Sequence, residues 1–358
     1  MKEQRFDVWA AGATYERYMG RWSRLAAEEF ATWLNCADNL RWLDVGCGTG
    51  VLSAVVTARC RPRMVVGIDR SEGFVGSARA AVPLSTHCIV ADAMSLPVRD
   101  ETWDVAVSGL TLNFLPEPTA AVAEMARVVR TGGLVAAYVW DYAEGMGFLR
   151  RFWDAAIETD PSAVALDEGR RFAVCRPERL SKVWADAGLV DVSTAPIEVP
   201  TVFADFADLW EPFLAGQGPA PGYVASLTPA DRDQVRDALS AAVPRRLDGS
   251  IALTARAWAV SGRRAVHSGA SCAPAAPEEA GGALGDHRLP GDHRPGSLGA
   301  RGGGGQNAHG RSRILSRCAA GIPGRAAEYR LRRSYGVCGA VVRKSRTRGL
   351  TWERNSSK

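Results

Sequence analysis

The stretch LRWLDVGCGTGVLS, residues 40–53, places three glycines in five positions directly after an apolar run. Glycine weakens both helices and strands, so a chain concentrates it where the backbone turns tightly or something approaches closely. The run before the loop, LRWLDV, reads as a strand, and TGVLSAVVTARC (49–60) reads as a helix with apolar residues at helical spacing. A strand, then Gly46-x-Gly48-x-Gly50, then a helix makes a turn that can cradle a ligand. Small residues let the backbone come near, and the helix start offers free N–H groups and partial positive charge.

The same alternation continues along the chain. MVVGID (64–69), HCIVAD (87–92), WDVAVSG (103–109) and LVAAYVW (134–140) read as further strands. SEGFVGSARAA (71–81) reads as a helix with Ser71 as its cap, and PTAAVAEMARVVR (118–130) as one that starts at a proline and stops at Gly132-Gly133. Strands alternating with helices predict an α/β parallel sheet. Ahead of this core, YERYMGRWSRLAAEEFATWL predicts an amphipathic helix with Trp22, Leu25, Ala26, Phe30, Trp33 and Leu34 on one face. Beyond it we expect helices near 145–158, 177–187 and 204–214, a strand near 189–199, a Thr228-capped helix over 228–243 and a last strand over 250–260.

Charge divides the chain. Residues 1–260 hold 26 Lys and Arg against 33 Asp and Glu, whereas residues 261–358 hold 18 against 6, so the overall +5 averages an acidic body and a basic tail. The tail also carries 18 of the 37 glycines. Such a segment buries too little apolar surface to offset its ordering entropy, so 263–358 reads as an Arg/Gly-rich, disordered tail, and out-of-frame coding sequence would account for the abrupt change. The acidic body argues against a nucleic acid substrate, leaving the tail as the one place where nucleic acid could bind. No apolar run is long enough to span a bilayer, and the start lacks the apolar core of a secretory leader. Eight cysteines without a CxxC pair suggest neither a disulfide framework nor a metal site, and the expectation is a cytoplasmic protein without a metal.

Two ligands compete for the glycine loop: a dinucleotide, or a nucleoside with an amino-acid arm. The dinucleotide fingerprint is GxGxxG; here the spacing is GxGxG, with Asp44 two residues ahead of the first glycine. A carboxylate there would repel a pyrophosphate and suits a ligand bearing an ammonium group. Asp69, ending the second strand, is placed for ribose hydroxyls, and Asp92-Ala93, ending the third, for an adenine amine.

LDVGCGTG, VGIDRSEGFVGSAR, VADAMSLPVRDETWDVAVSGLTLNFLPEP and EMARVVRTGGLVAAYVWD together resemble the successive motifs of class I S-adenosylmethionine-dependent methyltransferases, and most nearly the ubiquinone/menaquinone-biosynthesis group. The resemblance covers about residues 12–260. It implies a Rossmann-like, seven-stranded, mostly parallel sheet with helices on both faces and an antiparallel last strand. It also implies S-adenosyl-L-methionine as methyl donor and a small, partly apolar acceptor. Under it Asp44, Gly46, Cys47, Gly48 and Gly50 hold the methionine arm, Asp69 the ribose and Arg70 the adenine face, while Asp92 and Ala93 address the adenine amine with Met94 packing on the ring. Leu110 to Asn113 border the reactive methyl, Asn113 standing where relatives often carry histidine.

The expected domains are an N-terminal helical lid (1–39), the methyltransferase domain (40–262) with a helical insertion at about 142–250, and the tail. In the lid, Tyr15, Tyr18, Arg21 and Trp22 would close over the donor, with Arg21 clamping its carboxylate. Asp141, leaving the fifth strand, is the candidate base, with Asn113 the second candidate catalytic residue. Phe148, Phe152, Trp153, Phe172, Trp184, Phe203, Phe206, Trp210 and Phe213 are candidates for lining the acceptor pocket. A nucleic-acid-binding protein working through its tail and an NAD-dependent dehydrogenase are the alternatives.

Overall fold

The computed structural model describes residues 19–83, 86–216 and 218–266. The expected lid residues Tyr15 and Tyr18, and the tail from residue 267, lie outside them. In chain order the elements are α1 (Arg21–Leu34), β1 (Arg41–Val45), α2 (Val51–Arg59), β2 (Met64–Asp69), α3 (Glu72–Ala81), β3 (Thr86–Val90), β4 (Trp103–Gly109), α4 (Pro118–Val128) and β5 (Val129–Trp140). They continue as α5 (Gly147–Thr159), α6 (Glu168–Arg171), α7 (Pro177–Asp186), β6 (Leu189–Phe203), α8 (Phe206–Trp210), α9 (Pro219–Ser226), α10 (Pro229–Ala242) and β7 (Ile251–Arg264).

The seven strands form one sheet in the order β3-β2-β1-β4-β5-β7-β6. Strands β1 to β5 pair in parallel, and β7 lies antiparallel between β5 and β6. This is the Rossmann-like sheet that the resemblance implied, with its antiparallel last strand. The order reverses at β1, whose Asp44 pairs with Gly67 of β2 on one side and Val107 of β4 on the other. A crevice opens beyond the carboxyl ends of strands at such a reversal, which is where open α/β sheets bind ligands. The central strands are near-continuous apolar runs, as a sheet covered on both faces requires. Val105, Val107, Val135, Val139 and Ile68 are all fully buried or within 1% of it.

Local chemistry sets the helix ends. The Ser71 hydroxyl accepts from Phe74 N at 3.3 Å, and that of Thr228 accepts from Asp231 N at 3.2 Å. Helix α1 buries Trp22, Ala26, Ala27, Phe30 and Ala31, with Phe30 tilted against Tyr138 of β5 at 4.7 Å between ring centroids. Each such large apolar side chain contributes about 1.5–3 kcal/mol on burial.

Several boundaries differ from the sequence expectation. Leu25, expected on the covered face, is 37% exposed because the buried stripe of α1 runs through Ala27 and Ala31 instead. Helix α4 ends at Val128 rather than at the glycine pair, because Val129 pairs with Trp103 and starts β5. Gly132, at φ +74°, bends that strand instead of stopping the helix. Strand β6 runs to Phe203, and β7 runs to Arg264, past the expected domain limit at 262, because the two pair as one long antiparallel ribbon from Phe203–Ile251 to Leu189–Arg264. The helix expected over 204–214 breaks at Trp210, where Pro212 in the next turn has no N–H to continue it.

Candidate functional site

A cavity of about 330 Å³ lies at the sheet reversal, bordered by the ends of β1, β2 and β4 and the loops that follow them. The glycine loop forms one wall. Gly46, Gly48 and Gly50 have φ of +75°, +52° and +86°, a left-handed backbone that glycine adopts without cost. The three glycines serve different ends. A β-carbon on Gly46 would lie 2.3 Å from Thr111 Cγ2, and one on Gly50 would lie 2.8 Å from Val82 Cγ1, so the first lets β4 approach and the second lets α2 approach the end of α3. Gly48 has open space there and lines the cavity. The Thr111 hydroxyl lies 2.9 Å from Gly46 O and 3.0 Å from Gly109 O, tying the loop to β4.

Asp44 lines the cavity from β1 with its residue only 1% exposed. Its Oδ2 accepts from the Ser53 hydroxyl at 2.7 Å, while its Oδ1 is buried with no hydrogen-bond partner among the described residues. Burial pushes the Asp44 carboxyl up to about 7; the Ser53 bond pulls the other way and the charge of Asp69 adds to the rise. Asp69 closes β2 and accepts from Gly48 N at 3.0 Å with Oδ2 and from Ser71 N at 2.8 Å with Oδ1. One carboxylate thus fixes both the glycine loop and the start of α3, and each oxygen keeps a lone pair for a ligand. Arg70 follows it on the cavity wall. Asp92 accepts from Met94 N at 2.9 Å, closing a turn that brings Ala93 and Met94 to the cavity.

The opposite wall carries Leu110, Thr111, Phe114, Leu115 and Pro116 after β4, with Tyr138 of β5 and Ser23 of α1. Asn113 is buried beside them, and both its amide atoms lack a hydrogen-bond partner among the described residues. Asp44, Gly46, Cys47, Gly48, Asp69, Arg70, Asp92 and Ala93 are therefore brought to one cavity, as the sequence suggested. The Cys47 thiol is held well above its ordinary range by its hydrogen bond to Cys88 and by burial.

Four expected site residues sit elsewhere. Gly50 is a packing glycine, as above. Arg21 pairs with Asp208 at 3.0 Å and lies over the Trp22 ring at 4.2 Å and the Phe203 ring at 4.8 Å, which fastens α1 to the segment around α8 rather than to the cavity. Asp141 is buried, and its Oδ2 takes both Nε and Nη2 of Arg256 at 2.8 and 2.6 Å while Oδ1 accepts from Glu144 N at 3.1 Å. A carboxylate so held anchors the segment after β5 to β7 and does not line the cavity. Asn113 borders the cavity's turn without lining it.

The aromatic lining expected from the insertion is also corrected. Phe148, Phe152, Trp153, Trp184, Phe203 and Phe213 are buried in the core, and Phe152 stacks on Phe213 at 4.4 Å. None of the nine candidates lines the cavity; Phe172 reaches it at one remove, packing edge-on against Phe114 at 5.4 Å. Sequence reasoning missed Ser53, and on the cavity lining it missed Ser23, Thr49, Phe114, Leu115 and Tyr138. A serine within the apolar run VLSAVV and a tyrosine within LVAAYVW are polar groups in otherwise apolar faces, and that was the available signal. Among the described residues no helix is long and apolar enough to cross a membrane, and no group of three or more His, Cys, Asp or Glu could hold a metal.

Residues 43–137 match the family described as methyltransferase domain. The 2-methyl-6-phytyl-1,4-hydroquinone methyltransferase of Synechocystis sp. is 29% identical over 180 residues, 49% of this chain and 55% of that protein. The demethylmenaquinone methyltransferase of Staphylococcus aureus (strain JH9) is 36% identical over 96 residues, 26% of this chain and 40% of that protein. The chain thus spans about half the length of the curated relatives it matches. Among solved structures, phosphoethanolamine N-methyltransferase 2 of Haemonchus contortus, in complex with S-adenosylhomocysteine, is similar at 13% identity, covering 71% of this chain and 57% of that one with a TM-score of 0.45.

Proposed function

We propose that this chain, whose residues 43–137 match a methyltransferase domain, is a class I S-adenosylmethionine-dependent methyltransferase that transfers a methyl group by in-line displacement to a small, partly apolar acceptor. The observation that carries the proposal is the buried, unpartnered Oδ1 of Asp44 in a cavity formed by a glycine loop. An unsatisfied buried carboxylate oxygen is costly, and a ligand ammonium would satisfy it. The same oxygen would oppose a pyrophosphate, which counts against a dinucleotide and hence against the dehydrogenase alternative.

S-adenosylmethionine supplies a methyl already activated on a sulfonium. Asp44 would take the ammonium of its amino-acid arm, with Gly46, Cys47 and Gly48 providing close backbone. Asp69 would use its remaining lone pairs for the ribose hydroxyls, Arg70 would lie at the adenine face, and Asp92 with Ala93 and Met94 would border its edge. Leu110, Phe114, Leu115 and Tyr138 would enclose the acceptor side and exclude water. With Asp141 engaged by Arg256, the chain works chiefly by orientation, which can supply roughly 7–11 kcal/mol in a well-aligned pair. The apolar wall after β4 supports an acceptor with an apolar face.

The test is incubation of the full chain with S-adenosylmethionine labelled in its methyl group and a panel of phenols, hydroquinones and amines, read by mass spectrometry. Label in a small molecule, lost in Asp44→Asn, supports the proposal. Label transferred to nucleic acid alone contradicts it.

A further inference from the structure

Ser53 occupies the third position of α2 and is fully buried, between the apolar Leu52 and Val55 of the same helix face. A buried hydroxyl costs free energy unless it is hydrogen-bonded, and alanine would fit such a helix better. Ser53 directs its hydroxyl at Asp44 Oδ2, at 2.7 Å. The remaining oxygen of that carboxylate, Oδ1, is the one without a partner. A carboxylate free to turn could present either oxygen, and a bond on one fixes which is left open.

We propose that Ser53 is a positioning residue for donor binding: by holding Oδ2 of Asp44 it keeps Oδ1 as the open acceptor for the ammonium of the ligand's amino-acid arm. This rests on the donor-site reading above. Ser53 acts on Asp44 from α2 through both its hydroxyl and its backbone N–H, which favour the carboxylate, while the charge of Asp69 from β2 opposes it together with burial, and the thiols of Cys47 and of Cys88 on β3 also face it. Ser53→Ala removes the hydroxyl and keeps the N–H. Ser53 therefore does two things at once. It aims the carboxylate and it makes ionisation near neutral pH easier, so its removal moves ionisation of Asp44 to higher pH.

The experiment is calorimetric titration of the full chain and of Ser53→Ala with two probes, S-adenosylhomocysteine and 5′-methylthioadenosine, the second lacking the amino-acid arm. Titrations run from about pH 6 to about pH 8, each variant being compared with the wild type at the same pH so that titration of the ligand's own α-amino group, at about pH 8, cancels. Ser53→Ala is expected to weaken S-adenosylhomocysteine binding about tenfold or more at neutral pH, since a hydrogen bond to a charged group is lost. The loss should shrink as pH rises, 5′-methylthioadenosine binding should be unchanged, and Ser53→Ala should add nothing in an Asp44→Asn background. Ser53→Thr, which keeps the hydroxyl, should keep the wild-type pH profile. An equal loss for both probes, a loss that ignores pH, or unchanged S-adenosylhomocysteine affinity overturns the positioning role. A wild-type chain that binds neither probe overturns the donor-site reading itself, which is a separate result.

Discussion

The side chain of Thr111 fills the space that a β-carbon on Gly46 would need, its Cγ2 and Oγ1 lying 2.3 and 2.6 Å from that point. Two strand ends that neighbour each other in the sheet, those of β1 and β4, are thereby locked together at the cavity wall. Gly46→Ala meets both this contact and a φ of +75°. It is expected to cost about 1–3 kcal/mol of stability and at least tenfold in S-adenosylhomocysteine affinity. Thermal melts and calorimetry check this. Thr111→Ala in the same chain should recover part of the stability and not all of it, because the backbone strain remains.

Asp44 links binding to pH. Burial raises both its carboxyl and that of Glu168 to about 7. Each therefore keeps its proton in the folded chain over a range where the unfolded chain has released it. Their contribution to stability is fully present below about pH 4 and is lost as pH rises to about 7, after which it levels. Asp44→Asn removes one of the two contributions, so its stability should fall less than that of the wild type between pH 4 and pH 8, by up to about 4 kcal/mol. Denaturant midpoints across that range measure it. The same variant should lose donor binding.

Asp141 and Arg256 form an ion pair at 2.6 Å between the end of β5 and β7. Asp141→Ala leaves the Arg256 guanidinium without its buried partner and is expected to cost about 3 kcal/mol. The fraction that remains folded should bind S-adenosylhomocysteine with unchanged affinity. A tenfold loss of affinity in folded Asp141→Ala would restore Asp141 to the site.

Arg21 ties α1 to Asp208 at a partly exposed position, with side chains 38% and 33% exposed. Arg21→Ala should cost about 0.2–1 kcal/mol, since such pairs are weak in water, plus a further contribution from its stacking on Trp22 and Phe203. Donor affinity should be unaffected. Chemical denaturation together with calorimetry separates the two effects.

Much of this was legible in the sequence, because the signals were local. Period, caps and glycines placed α3 and β2 within a residue, and the acids Asp44, Asp69 and Asp92 marked three strand ends that the sheet order brings to one crevice. What failed depended on contacts far apart in the chain. That Arg256 claims Asp141 across 115 residues, or that Asp208 claims Arg21 across 187, follows only from the packing of β7 and α8. The aromatic residues of the insertion misled for the same reason. Their composition suits either a pocket or a core, and only the pairing of β6 with β7 and the packing of α5 decide for the core.

Calorimetric titration of the full chain with S-adenosylmethionine and, separately, with NAD tests the central claim most directly. The account predicts saturable one-site binding of S-adenosylmethionine that disappears in Asp44→Asn, and no binding of NAD. Tight binding of NAD with no response to S-adenosylmethionine would contradict it.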